Sequence, residues 1–163
     1  SKPKKRYCEI VSFGASVDNS GVSGMDKSGM GIKKSILNAI NSANICESDI
    51  DLISTHGTAT ILNDKVEGEV IQNIFGNKPL IYALKGYFGH TMGASSAIQV
   101  AILADLFVNE KLIKNSYLNN MSFKLNFVEK NCKKRINYAI NNAFGFGGVN
   151  SSLLLKRVDC YNM

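Results

Sequence analysis

The sequence predicts a layered α/β fold with a partly parallel sheet. Three observations carry this. Short apolar segments alternate with amphipathic stretches at the spacing of strand–helix units, the glycines gather between them, and only two prolines, Pro3 and Pro79, occur in 163 residues. A content of 45% hydrophobic and 20% charged residues is ordinary for a globular domain of a length that supports its own core.

In chain order, residues 10–14 predict a strand and the polar, glycine-rich residues 18–31 a loop. Ile32, Ile36, Leu37 and Ile40 recur at helical spacing and predict a helix to about residue 43. A turn at 46–48 leads to a strand at 50–54, and a polar loop from His56 to Thr60 follows its carboxyl end. Val66, Val70, Ile71, Ile74 and Phe75 mark a second helix, with Asp64 and Glu67 spaced as an N-terminal capping arrangement. After a turn at 76–79 come a strand at 80–83 and a glycine-containing loop at 85–93. Ala94, Ala97, Ile98, Ala101 and Ile102 predict a helix whose small residues suit burial by close packing. Strands at 135–140 and 149–155, joined by a loop at 141–148, end the pattern.

The net charge of +6 concentrates at residues 2–6 and 130–135. A basic surface suits an acidic partner, but no aromatic residues interleave with these runs, so a nucleic-acid partner is not expected; solvated faces are the plainer reading. Four cysteines (Cys8, Cys46, Cys132, Cys160) form no C-x-x-C pair, and only two histidines accompany them. No metal is expected, and reduced thiols are. The most apolar helical stretch, residues 98–108, contains Gln99 and Asp105 and is too short to cross a bilayer. The expectation is therefore no membrane partner and a cytoplasmic location.

Three segments can carry chemistry. In the first, His56 follows a strand and sits among Thr55, Gly57, Thr58 and Thr60. In the second, Lys85 precedes Gly89 and His90, and His90 lies just before a helix, where the helix dipole favours a neutral imidazole. In the third, Phe144 and Phe146 alternate with Gly145, Gly147 and Gly148, giving an apolar wall on a pliant backbone. Taken singly, each also reads as an ordinary turn or core feature. Together they place both histidines at the carboxyl ends of strands, where α/β sheets bind ligands. Two neutral histidines beside an apolar slot suit a reaction that develops an enolate from a thioester.

The patterns His56-Gly57-Thr58-x-Thr60, Asp64-Lys65-x-Glu67, Lys85-x-x-x-Gly89-His90-x-x-Gly93-Ala94 and Asn142-x-Phe144-Gly145-Phe146-Gly147-Gly148-x-Asn150 resemble, in this order, the C-terminal half of the β-ketoacyl-acyl-carrier-protein synthases of the synthase II type. The resemblance runs over about residues 7–157, leaving a basic extension at 1–6 and a tail at 158–163. It implies half of a thiolase-like fold, a mixed sheet with packed helices. It implies decarboxylative Claisen condensation of malonyl-acyl-carrier-protein with an acyl thioester, in fatty-acid or polyketide synthesis. His56, His90 and Lys85 would be catalytic, and Thr58, Thr60, Phe144, Phe146 and Gly147 would line the substrate approach, with Phe146 as its gate. Asp64 and Glu67 would be structural or charge-balancing.

The resemblance implies no cofactor beyond the carrier's phosphopantetheine. The partners would be acyl carrier protein and an N-terminal ketosynthase half, or a homodimer. The family's nucleophilic cysteine belongs to that N-terminal half, and none of the four cysteines here has its context. Half a fold would leave an apolar face exposed where the other half packs. A non-catalytic partner of the chain-length-factor kind and an inactive fragment are the alternatives. Ile61, Leu84 and Ser96 stand where the family often has proline, a hydroxyl residue and glycine.

Overall fold

The computed structural model describes residues 6–18, 21, 24–116, 118 and 124–158. The expected basic extension, Arg6 apart, and the tail from residue 159 with Cys160 lie outside them.

Among the described residues, eight strands and four helices follow in the order β1 (Cys8–Val17), α1 (Met30–Ser42), β2 (Leu52–Ser54), α2 (Ile61–Phe75), β3 (Leu80–Tyr82), α3 (Lys85–Phe88), α4 (Ser95–Asn109), β4 (Lys111–Leu112), β5 (Asn126–Phe127), β6 (Cys132–Lys133), β7 (Tyr138–Gly145) and β8 (Val149–Arg157). Six strands form one mixed sheet in the order β1-β8-β7-β2-β3-β5, and β4 and β6 make a small antiparallel ribbon. β1, β8 and β7 pair antiparallel, whereas β7, β2, β3 and β5 run parallel. The expected mixed α/β sheet with packed helices is therefore present.

The period-two alternation of the strands divides the core. Ile53, Ile81, Ile140 and Leu154 face one side and pack with Ile32, Ile36 and Ile40 of α1 and Val66, Val70 and Ile71 of α2. Their neighbours Leu52, Leu80, Ala139 and Leu155 face the other side and pack with Leu103, Leu106 and Phe107 of α4. Fully burying each such side chain contributes about 1.5–3 kcal/mol. On the first side α1 comes against β1 because Gly14 has no side chain. A Cβ there would lie 2.0 Å from the Ser35 carbonyl oxygen. Ser12 and Ser16, in register with Gly14, donate to the Ala39 and Gly31 carbonyls, both at 2.6 Å.

The second side is only partly covered. Phe13 and Val17 of β1 are 67% and 75% exposed. The small residues correct an expectation: Ala94, just before α4, and Ala97 and Ala101 within it are exposed, and larger side chains of α4 make its core contact. Met92–Asn109 is long and apolar enough to cross a membrane by length and composition alone. Met92 apart, its larger apolar side chains are buried or half-buried, five of them in the second core, and Ser95 and Gln99 in the same segment are buried polar residues turned inward.

Three other expectations shift. The loop foreseen at 141–148 is mostly strand: β7 continues to Gly145, because Asn141–Gly145 pair in register with β8, and only Phe146–Gly148 turns the chain. Part of the loop at 85–93 is the single helical turn α3. Helix α2 begins at Ile61, so Glu67 lies well inside it and caps nothing in its own helix, and no side chain caps its start. Ile61, at the first helical position where proline would fit, is exposed, and Leu84 is buried in the second core.

Candidate active site

The sheet order explains the site. β7, β2 and β3 are parallel neighbours, so their carboxyl ends lie side by side. The residues after β2 carry His56, those after β3 carry Lys85 and His90, and the end of β7 carries Phe144, with Phe146 in the turn that follows. Adjacent strands are about 4.8 Å apart. The His56 ring accordingly lies 5.5 Å from that of His90, edge to face, and 5.3 Å from that of Phe144.

A cleft of about 830 Å³ opens at these strand ends. Of the residues singled out in the sequence, His56, Thr58, Thr60, Lys85, His90, Phe144 and Phe146 line it. Three do not. Gly147 lies between lining residues but has a left-handed backbone, φ 79°, so its part is to make the turn. Asp64 sits exposed in the first turn of α2, where its Oδ1 accepts from Asn63 Nδ2 at 3.1 Å. Glu67 is buried behind the cleft.

Glu67 holds the His56 loop. The His56 N–H donates to its Oε1 at 2.9 Å and the Gly57 N–H to its Oε2 at 3.0 Å. Asn142 Nδ2 adds a third bond, to Oε1 at 3.1 Å, and Ser152 Oγ donates in turn to Asn142 Oδ1 at 2.9 Å. Burial raises the Glu67 pKa above the ordinary carboxylate range, and the three donors oppose that rise. On the other side of the same residue, the His56 carbonyl accepts from Lys85 Nζ. Lys85 is buried, which lowers its pKa, while the field of Glu67 pushes it back up.

These environments set the histidines. His56 is only 8% exposed and its Nδ1 makes no hydrogen bond among the described residues. Desolvation, then electrostatic interaction with Lys85 and with His90, lower its pKa to about 3. His56 is therefore a neutral imidazole at any pH above that. His90 is exposed, and its Nδ1 accepts the Met92 N–H at 3.0 Å and lies 3.1 Å from Ser95 Oγ. A neutral ring that accepts at Nδ1 carries its proton on Nε2, which leaves Nε2–H as its donor. The sequence pointed to the helix dipole for this task, whereas a specific amide and hydroxyl perform it. Gly89 serves by its φ of 73°, since a Cβ there would meet nothing within 4 Å.

Phe144 is buried against His56, and Phe146 is 77% exposed at the rim. Ser96, an unusual residue on the sequence pattern, lines the cleft and accepts from Asn141 Nδ2 at 2.9 Å. Two residues escaped the sequence reading as site residues: Asn142, although it opens the glycine–phenylalanine segment, and Gln99, which is buried and bonded to Lys85 at 3.2 Å. Gln99 carried a signal, the one amide within the most apolar stretch, residues 98–108. Among the described residues, no three of His, Cys, Asp and Glu converge as a metal site, and no cysteine lines the cleft.

Residues 7–117 match the family described as beta-ketoacyl synthase, C-terminal domain. The chain belongs to that family. It is 32% identical to 3-oxoacyl-(acyl-carrier-protein) synthase 2 of Rhizobium meliloti over 94% of this chain and 38% of the relative. It is 32% identical to 3-oxoacyl-(acyl-carrier-protein) synthase 1 of Escherichia coli over 93% of this chain and 37% of the relative. Among solved structures, a beta-ketoacyl synthase from Burkholderia phymatum superposes with a TM-score of 0.86 at 25% identity, over 94% of this chain and 38% of that one. A ketosynthase in complex with its chain length factor from Xenorhabdus doucetiae gives 0.87 at 27%, over 95% and 40%. The fold is thus that of the ketosynthases, thiolase-like, and the chain spans under two-fifths of the curated relatives cited above.

Proposed function

We propose that this chain is the malonyl-decarboxylating part of a 3-oxoacyl-acyl-carrier-protein synthase. The observation that carries the reading is the pair of imidazoles, ring centres 5.5 Å apart in one cleft, one kept neutral by burial and the other with its Nδ1 taken up as an acceptor. A neutral imidazole donates one N–H to an oxygen without losing its proton to it. Two such donors on the thioester oxygen of a malonyl group stabilise the enolate that forms as carbon dioxide leaves. Each donor of this kind is worth about 10²–10³ in rate. Lys85 fixes the loop of His56 and adds a positive field. Thr58, Thr60, Phe144 and Phe146 line the approach of the pantetheine arm.

No described cysteine reaches the cleft, so in this proposal the acyl-holding nucleophile comes from an N-terminal ketosynthase portion. The uncovered apolar face of β1 and α4 supports docking of such a portion. The acyl groups arrive on acyl carrier protein, whose acidic surface suits the net charge of +6. No resident cofactor or metal enters the scheme, nor does a membrane or nucleic acid, and a cytoplasmic location is part of the proposal. The test is carbon dioxide release from malonyl-acyl-carrier-protein by this chain assembled with an N-terminal portion. Substituting either histidine by alanine lowers release by about 10²–10³-fold if the reading holds; near-unchanged release from either variant removes it.

A further inference from the structure

Gln99 has no accessible surface and stands in α4, whose other core-facing residues are mostly apolar. A buried amide is costly unless its hydrogen bonds are made. Here they are made, two to the end of β2 and one to Lys85. Its Nε2 donates to Ser54 Oγ at 2.9 Å and to the Thr55 carbonyl at 2.8 Å. Its Oε1 accepts from Lys85 Nζ at 3.2 Å. Lys85 thus rests on two neutral oxygens, those of Gln99 and of the His56 backbone. The carboxylate of Glu67, on the other side of the loop, acts on it through the field and is itself engaged by backbone and amide donors. The charged or titratable groups around Lys85 are then Glu67 from α2 and the His56 ring, with His90 beyond it.

We propose that Gln99 is a positioning residue: its side-chain oxygen holds the Lys85 ammonium on the His56 carbonyl, while its NH₂ group ties the end of β2 to α4. The peptide of His56 is then fixed at both ends, its N–H by Glu67 and its C=O by Lys85 under the control of Gln99. The amide suits both tasks because it offers two N–H donors and a separate acceptor oxygen, whereas a hydroxyl has a single donor. The proposal rests on the function above only for what the fixed His56 is used for.

The test follows the Lys85 ammonium by NMR in the nitrogen-labelled chain, in mildly acidic buffer. Lys85 is the one buried lysine among the described residues, so its protons exchange slowly and its signal stands apart. In Gln99→Met the signal is lost or its exchange speeds roughly tenfold or more, the factor carried by one hydrogen bond to a charged group. In Gln99→Glu, which keeps an oxygen acceptor, the signal remains. The imidazole tautomer of His90, set by Met92 and Ser95, reports whether each variant is folded. An unchanged Lys85 signal in folded Gln99→Met overturns the proposal, as does its loss in folded Gln99→Glu. If Gln99→Met does not fold, Gln99→Glu decides alone. The readout needs no turnover, so a failed decarboxylation assay with an intact Gln99 effect sinks the functional reading and spares this one.

Discussion

His56 is buried, with its N–H on Glu67 and its C=O on Lys85, whereas His90 stands exposed and is held by the Met92 N–H and Ser95 Oγ. Both rings face one cleft, held by unlike means. The first is kept neutral by desolvation and nearby positive charge, and its supports come from three elements distant in sequence. The second has its tautomer fixed by residues two and five positions along the chain. The position of His56 therefore depends on the assembled sheet, and that of His90 on one local turn.

The largest effect expected is on chemistry. His56→Ala and His90→Ala each reduce decarboxylation in the assembled enzyme by about 10²–10³-fold. A single-turnover assay that finds one of them near full rate would show that the two rings are not equivalent donors. The supports separate the pair next. Glu67→Ala strands the buried N–H groups around His56 and lowers stability by about 2–4 kcal/mol in denaturant melts. Ser95→Ala leaves His90 with its backbone donor and costs about 0.5–1.5 kcal/mol or less. Equal losses for the two would erase the contrast between assembled and local support.

Acid sharpens it further. The pKa of His56 falls from 6.5 to about 3 on folding. Between these values the unfolded chain binds a proton that the folded chain refuses, so His56 makes stability fall as pH drops through this window. His56→Phe flattens that part of a melting-versus-pH curve. An unaltered slope would mean that the His56 ring is not the buried neutral group.

The sequence was most legible where structure is local. The strand and helix periods placed β1, α1, α2, β3 and β8 because one face of each meets the core, and the β-strand ends carried both histidines. It was least legible where partners come from far away. The spacing of Asp64 and Glu67 looks like a cap, yet Glu67 binds amides ten and eleven residues upstream, at Gly57 and His56. No period in the chain encodes that. The glycine run after Asn142 looked like a long loop because glycine weakens strands, but pairing with β8 carries β7 to Gly145. The small residues of α4 predicted close packing, and among the described residues nothing covers Ala97 and Ala101.

The central claim is that this cleft supplies the decarboxylating pair and another segment supplies the nucleophile. The most direct measurement is a condensation assay with acyl- and malonyl-acyl-carrier-protein, run on this chain alone and on this chain with an N-terminal ketosynthase portion. The account predicts product only in the mixture, with the acyl group trapped on the added portion. Turnover by the chain alone, with one of its own cysteines acylated, would contradict it.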